Sequence, residues 1–211
     1  MSQEKETYKD SHQLPEDEQG NSLFPVFLKL EDMSLLIVGG GKVALEKLEK
    51  VILNSPATPI VLVAPDILPE IKTIADQHEN VFLQEREFDP EDLDDVDIAI
   101  VAVDDKSISE FVVIEAHKRN LLVNVADTPG LCDFYLSSVV RKGDLKIAIS
   151  TNGKSPALAK RLREVFEEAL PGETQLSIEK LNELRTHLKG DFTEKVKVLN
   201  NATSILINKH D

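Results

Sequence analysis

The run SLLIVGGGKVALEKLEKV, residues 34–51, constrains the fold more than any other part of the chain. An apolar strand passes through three consecutive glycines into a stretch with helical periodicity. Within it Gly39, Gly41 and Ala44 give the pattern G-x-G-x-x-A. The first glycine permits a tight turn, the second lets backbone approach a pyrophosphate, and the small third residue lets helix and strand pack closely. A helix N-terminus that follows directly favours an anion through its N–H groups and dipole. The alternative is a tight strand-to-helix turn that holds no ligand.

The surroundings supply the context this pattern needs. Residues 24–30 (FPVFLKL) read as a short strand. SLLIVG, PIVLVA, VFLQER, DIAIVAV and LLVNVA then read as strands alternating with helices from about Lys42, around residues 67–77 and around residues 107–119. Short strands of β-branched residues and leucine with helices between them indicate an α/β fold, a Rossmann-like doubly wound parallel sheet covered on both faces. Its ligands are expected at the carboxyl ends of the strands. There Pro65 and Asp66 end the second strand, where an acidic residue binds the adenosine ribose of NAD. No Arg or Lys stands beside them to suggest a 2′-phosphate site. Asp104 and Asp105 end the fourth strand and either line the cofactor cleft or cap the helix that begins near Ser107.

The rhythm breaks after residue 127. FYLSSVV, the turn RKGD and LKIAIS read as a hairpin, and a helix-rich end follows. Four parts result: a flexible acidic tail (1–22), an NAD-binding Rossmann domain (23–126), a β extension (127–156), to which the family resemblance given below assigns dimerisation and the substrate loop, and a C-terminal helical domain (157–211). The loop AISTNGKS, residues 148–155, resembles a relaxed P-loop, but Ser155 as N-cap and Pro156 as first helical residue account for the pair without a nucleotide. A downstream strand ending in a magnesium-binding Asp is also missing from the pattern.

Charge narrows the partners. The formal net charge of −14 argues against general nucleic-acid binding, which draws on surplus Lys and Arg. Yet residues 127–163 hold seven basic against three acidic residues, a local surplus of +4 suited to a polyanionic small molecule. No apolar run approaches the roughly 20 residues of a membrane span. The single cysteine, Cys132, excludes an internal disulfide framework and fits a cytoplasmic setting. The five histidines, His12, His78, His117, His187 and His210, show no ligand spacing on one helix, so no metal site is expected.

Taken together, LLIVGGGKVA, VNVADTPGLCDF and IAISTNGKSPALAKRLRE, in that order and spacing, resemble the precorrin-2 dehydrogenase family of sirohaem synthesis. The resemblance covers about residues 24–171 and has the form of a stand-alone dehydrogenase. It implies oxidation of precorrin-2, a tetrapyrrole with eight carboxylates, to sirohydrochlorin, with NAD accepting a hydride. It implies Asp127 as the catalytic residue, although Asp127 is also suited to open the turn DTPG. It places Lys42 and Val43, and Pro65 and Asp66, against the cofactor. It places Thr151 beside the tetrapyrrole, in a loop where Asn152, Lys154 and Lys160 are suited to its carboxylates. It also implies an intertwined homodimer. Some members insert ferrous iron as a second activity and others do not, and both remain open. Glu46 stands where many members have Arg, and Ser137 replaces a common proline. The alternative of a different class is a non-catalytic NAD(H)-sensing Rossmann module.

Overall fold

The computed structural model describes residues 20–188 and 192–203. The acidic tail falls outside the described residues apart from its last three, as do the last eight residues of the helical end. The chain divides into two compact units. The first runs through Leu136 and takes in Thr151–Lys154; the second comprises Ser137–Ser150 and the chain from Ser155 onward.

The first unit is built on a five-stranded parallel sheet. Its strands are β1 (Leu35–Val38), β2 (Ile60–Ala64), β3 (Val81–Glu85), β4 (Ile98–Val101) and β5 (Leu122–Val125), in the order β3-β2-β1-β4-β5. Helices α1 (Lys42–Asn54), α2 (Pro69–Gln77) and α3 (Lys106–Lys118) provide the connections between strands. Every residue of β1 and β4 is buried, as a central parallel strand covered on both faces requires. Alternation sorts the side chains. Leu35 and Ile37 face a core completed by Ala44, Leu48 and Val51 of α1 and Ile71 of α2. Leu36 and Val38 face the opposite core, with Val112, Val113 and Ala116 of α3. Burying one such Leu or Ile contributes about 1.5–3 kcal/mol, so the two apolar layers fix the register that lines up the strand ends.

That order places the site. The chain winds outward from β1 to β3 on one side, then returns past β1 to β4 and β5. The switch point therefore lies between the carboxyl ends of β1 and β4, where doubly wound sheets bind ligands.

One expected strand does not form. Residues 24–29 have no regular structure, and a 3-10 turn covers Leu30–Asp32. Phe24 is 86% and Phe27 68% exposed, while Leu30 alone of the stretch packs on the core. The reason is topological: β1 is already paired on both sides, and Pro25 removes a ladder donor.

In the second unit, β6 (Ser138–Lys142) and β7 (Leu145–Ile149) form an antiparallel hairpin. Gly143, with φ +60°, takes the first place of its two-residue turn, as a type II′ turn demands. Gln175 clamps this turn. It accepts from the Asp144 N–H at 2.8 Å and donates to the Asp144 carboxylate at 3.0 Å. Helices α4 (Pro156–Ala169), α5 (Thr174–His187) and α6 (Phe192–Thr203) complete the unit. No described helix is long and apolar enough to cross a membrane.

Candidate active site

The glycines after β1 play three different parts. Gly39 has φ +125°, and a Cβ on it would overlap the Ala102 carbonyl at the end of β4. Its missing side chain lets the β1 and β4 ends meet, with Ala102 N–H donating to Val38 O at 2.8 Å, while on the other side Gly39 N–H donates to Val63 O of β2 at 2.9 Å. Gly40 is closed in as tightly: a Cβ there would overlap the Asp66 carbonyl, and Leu68 N–H donates to Gly40 O at 3.0 Å. The motif leaves this middle position unspecified, and the only signal for it was the third consecutive glycine.

Gly41 differs from both. Its φ of −89° suits any residue, and among the described residues no atom lies within 4 Å of where its Cβ would stand. It is the N-cap of α1 and carries no side chain to cap the helix. The first N–H groups of a helix have no partner within it, so the start of α1 faces open space with donors and a positive dipole end. These residues fit the pyrophosphate of a dinucleotide. Lys42 is exposed and Val43 half-buried at this opening, and Ala44 is fully buried under it.

Pro65 and Asp66 are exposed at the end of β2, beside Gly40. Asp104 is exposed in the bend after β4. Asp105 is a helix cap: its carboxylate accepts from Ser107 N–H at 2.7 Å, Ser107 Oγ at 2.5 Å and Ile108 N–H at 3.2 Å. The Ser107 hydroxyl and these two amides hold its carboxyl below the usual aspartate range.

Asp127 lies just beyond β5, exposed, in the left-handed conformation with φ +54°. Ala126 N–H donates to Val101 O at 2.9 Å, which ties this turn to the end of β4. The same carboxyl edge therefore carries the glycine loop, Asp66, Asp104 and Asp127. Aspartate tolerates this conformation better than most residues, and Asn120 and Asn152 share it here, so the geometry shows how the turn after β5 is made.

The second glycine loop is a different object. Asn152 and Gly153 both have positive φ, +54° and +73°, and Lys154 N–H donates to Thr151 O at 3.0 Å. Two successive left-handed residues under such a bond make a type I′ turn. The Ser155 hydroxyl accepts from Leu158 N–H at 3.3 Å and caps α4, with Pro156 in its first turn. Lys154 is exposed in this turn, and Lys160 is exposed on α4 in the second unit. Glu46 forms ion pairs with Lys47 and Lys50 at 3.4 and 3.5 Å. Burial acts to raise its pKa, but the two lysines outweigh it and hold the carboxyl below its usual range. Among the described residues no cluster of His, Cys, Asp and Glu could hold a metal ion.

Comparisons with known proteins bear on this edge. A family model described as NAD(P)-binding matches residues 26–138, and one for the central part of sirohaem biosynthesis proteins matches residues 142–169. The siroheme synthase of Psychrobacter cryohalolentis is 36% identical over 176 residues, 83% of this chain and 32% of that protein. That of Photorhabdus laumondii is 37% identical over 147 residues, 70% of this chain and 31% of its own length. The chain thus spans about a third of the length of these relatives. Among solved structures, SirC, precorrin-2 dehydrogenase, superposes with a TM-score of 0.68 at 27% identity, covering 85% of this chain and 88% of that one.

Proposed function

The chain belongs to the NAD(P)-binding family of sirohaem biosynthesis proteins, and from that premise we propose that it oxidises precorrin-2 to sirohydrochlorin with NAD as acceptor. The observation that carries this reading is the pairing of two features on the carboxyl edge of one sheet: the open α1 terminus over Gly41 beside the switch point and Asp127 just beyond the neighbouring β5.

NAD, when bound, supplies the hydride acceptor. The chain's own part is to hold it and manage the proton. The first-turn amides of α1, at Lys42 and Val43, take the pyrophosphate, and Asp66 with Pro65 takes the adenosine ribose, with Asp104 further along the same edge. Precorrin-2 loses one hydride and one proton, and the Asp127 carboxylate accepts that proton as the hydride leaves. Thr151, Asn152 and Lys154 meet the substrate's carboxylates. The basic surplus of residues 127–163 in an otherwise acidic chain supports this placement.

The protein acts as a cytoplasmic homodimer in this reading. Leu158, Val165 and Phe166 lie on one face of α4 and are exposed, an apolar surface suited to a second copy. An anaerobic assay with precorrin-2 and NAD, following NADH and sirohydrochlorin together before metal is added, tests the function. Equal appearance of both supports it, and ferrous iron added afterwards tests insertion separately. NAD binding without either product would refute oxidation and favour a sensing module.

A further inference from the structure

Strand β5 is the edge of its sheet, and an edge strand leaves its outward N–H and C=O groups without a ladder partner. Here they are met by two side chains ten or fewer positions on. Val123 N–H donates to the Asp133 carboxylate at 2.9 Å, and Asp133 N–H donates back to Val123 O at 2.8 Å. His117 Nε2 lies 2.9 Å from the same carboxylate oxygen. One turn of strand further along, Val125 N–H donates to Cys132 Sγ at 3.2 Å, and Sγ lies 3.1 Å from Val125 O and 3.5 Å from Thr128 O. Asn124, only 6% exposed, donates from Nδ2 to Phe134 O at 2.8 Å and reaches Sγ at 3.5 Å.

These contacts bracket the turn that carries the exposed Asp127. Val125 and Thr128 flank its turn on either side, and both are held by the one sulfur atom. Burial, reinforced by the neighbouring Asp133 carboxylate, raises the Cys132 thiol above its ordinary value despite the Val125 bond and Lys47. The group stays a thiol at neutral pH, with a proton to donate to a carbonyl while its lone pairs accept from Val125 and Asn124.

We propose that Cys132, supported by Asn124, is a positioning residue that holds the turn presenting Asp127 and thereby sets the rate of proton removal. This rests on Asp127 as the proton acceptor. A displacement near 1 Å in such a group can cost about 100-fold in rate, while the cofactor's contacts on α1 and β2 are untouched.

The test compares wild type, Cys132→Val, Cys132→Ser, Asp127→Asn and the double variant Cys132→Val/Asp127→Asn in the full chain. Measured quantities are kcat and KM for precorrin-2, the NAD dissociation constant and amide exchange at Val125 and Thr128. Valine loses the hydrogen bonds at the cost of one extra methyl group, and serine keeps them in a slightly smaller side chain. The expected result is faster Val125 exchange, unchanged NAD affinity and kcat lower by about 10- to 100-fold with little change in KM. Serine should recover part of the loss. In the Asp127→Asn background, Cys132→Val should cost nothing further.

Two results overturn the proposal and are distinguishable. If Asp127→Asn is as active as wild type, the reading of Asp127 fails and the proposal with it. If Asp127→Asn loses most but not all turnover and Cys132→Val keeps full kcat, or loses the same factor in both backgrounds, the acceptor stands and the positioning role is refuted.

Discussion

The two glycine-bearing turns are spelled alike, each a strand followed by glycine, lysine and a helix, yet their backbones solve opposite problems. After β1, Gly39 and Gly40 are pressed against the Ala102 and Asp66 carbonyls, and Gly41 opens onto space at a helix start with no side-chain cap. After β7, Gly153 has no neighbour near its Cβ position among the described residues, its turn closes on itself through Lys154 N–H and Thr151 O, and Ser155 caps the helix. In the first loop glycine is needed for closeness, joined at Gly39 by a positive φ; in the second it is needed for a positive φ alone. A helix whose cap is already supplied offers an anion less than one whose cap is missing.

The largest effect should come from the pressed glycines. Gly39→Ala meets both an overlap with backbone and a positive φ, so strain of about 1–3 kcal/mol adds to an overpacking cost of about 1–3 kcal/mol. Because a domain's whole stability is about 5–15 kcal/mol, loss of soluble folded protein or a large fall in the urea midpoint is expected. Gly40→Ala should be nearly as damaging, since backbone rather than a flexible side-chain end stands in the way. A midpoint within experimental error of wild type for either variant would break the comparison.

Gly41→Ala should separate folding from binding. Its φ is ordinary and its Cβ position is open, so stability should change by no more than about 1 kcal/mol. On the proposed placement of the pyrophosphate the new methyl would meet it, and the NAD dissociation constant should rise at least about tenfold, equivalent to about 1.4 kcal/mol. Fluorescence or calorimetric titration of NAD checks it. Gly153→Ala is the mirror experiment: about 1–2 kcal/mol of left-handed strain, with NAD affinity unchanged.

The contrast also explains what was legible in the sequence. Alternating apolar runs fix the sheet because β1 and β4 must be buried on both faces, and the G-x-G-x-x-A spacing is tied to a strand and helix that both formed. Residues 24–30 misled because apolar content alone does not provide a free sheet edge, and β1 had none to offer. Gly40 was hidden in an unspecified position of the motif. Cys132 and Asn124 were hidden because their role depends on β5 being the edge strand, a property of strand order rather than of local sequence. The type I′ turn at Asn152 and Gly153 could have been read from the Asn-Gly pair, had the lysine that follows not suggested a phosphate loop.

The smallest effect concerns the caps themselves and discriminates charge from geometry. Asp105 caps α3 with a carboxylate held below its usual pKa by the Ser107 hydroxyl and the Ser107 and Ile108 amides; Ser155 caps α4 with a hydroxyl that does not titrate. A depressed folded pKa contributes stability that is complete above the unfolded value, about 3.9, and is lost as pH falls through the folded value. Amide exchange at Ser109 and Ala159, which make the first helical bonds to Asp105 O and Ser155 O, reads each helix separately. Asp105→Ala should weaken Ser109 protection at pH 7 and by progressively less as pH falls below about 4, the deficit vanishing once the folded wild-type carboxyl, held lower than that, is itself protonated. Ser155→Ala should weaken Ala159 protection by about 1 kcal/mol to the same extent at both pH values. If the Asp105→Ala deficit at Ser109 did not shrink on acidification, the cap would act through its shape alone. The difference between α3 and α4 would then reduce to side-chain length, leaving the missing cap of α1 as the only electrostatic distinction among these three helix starts.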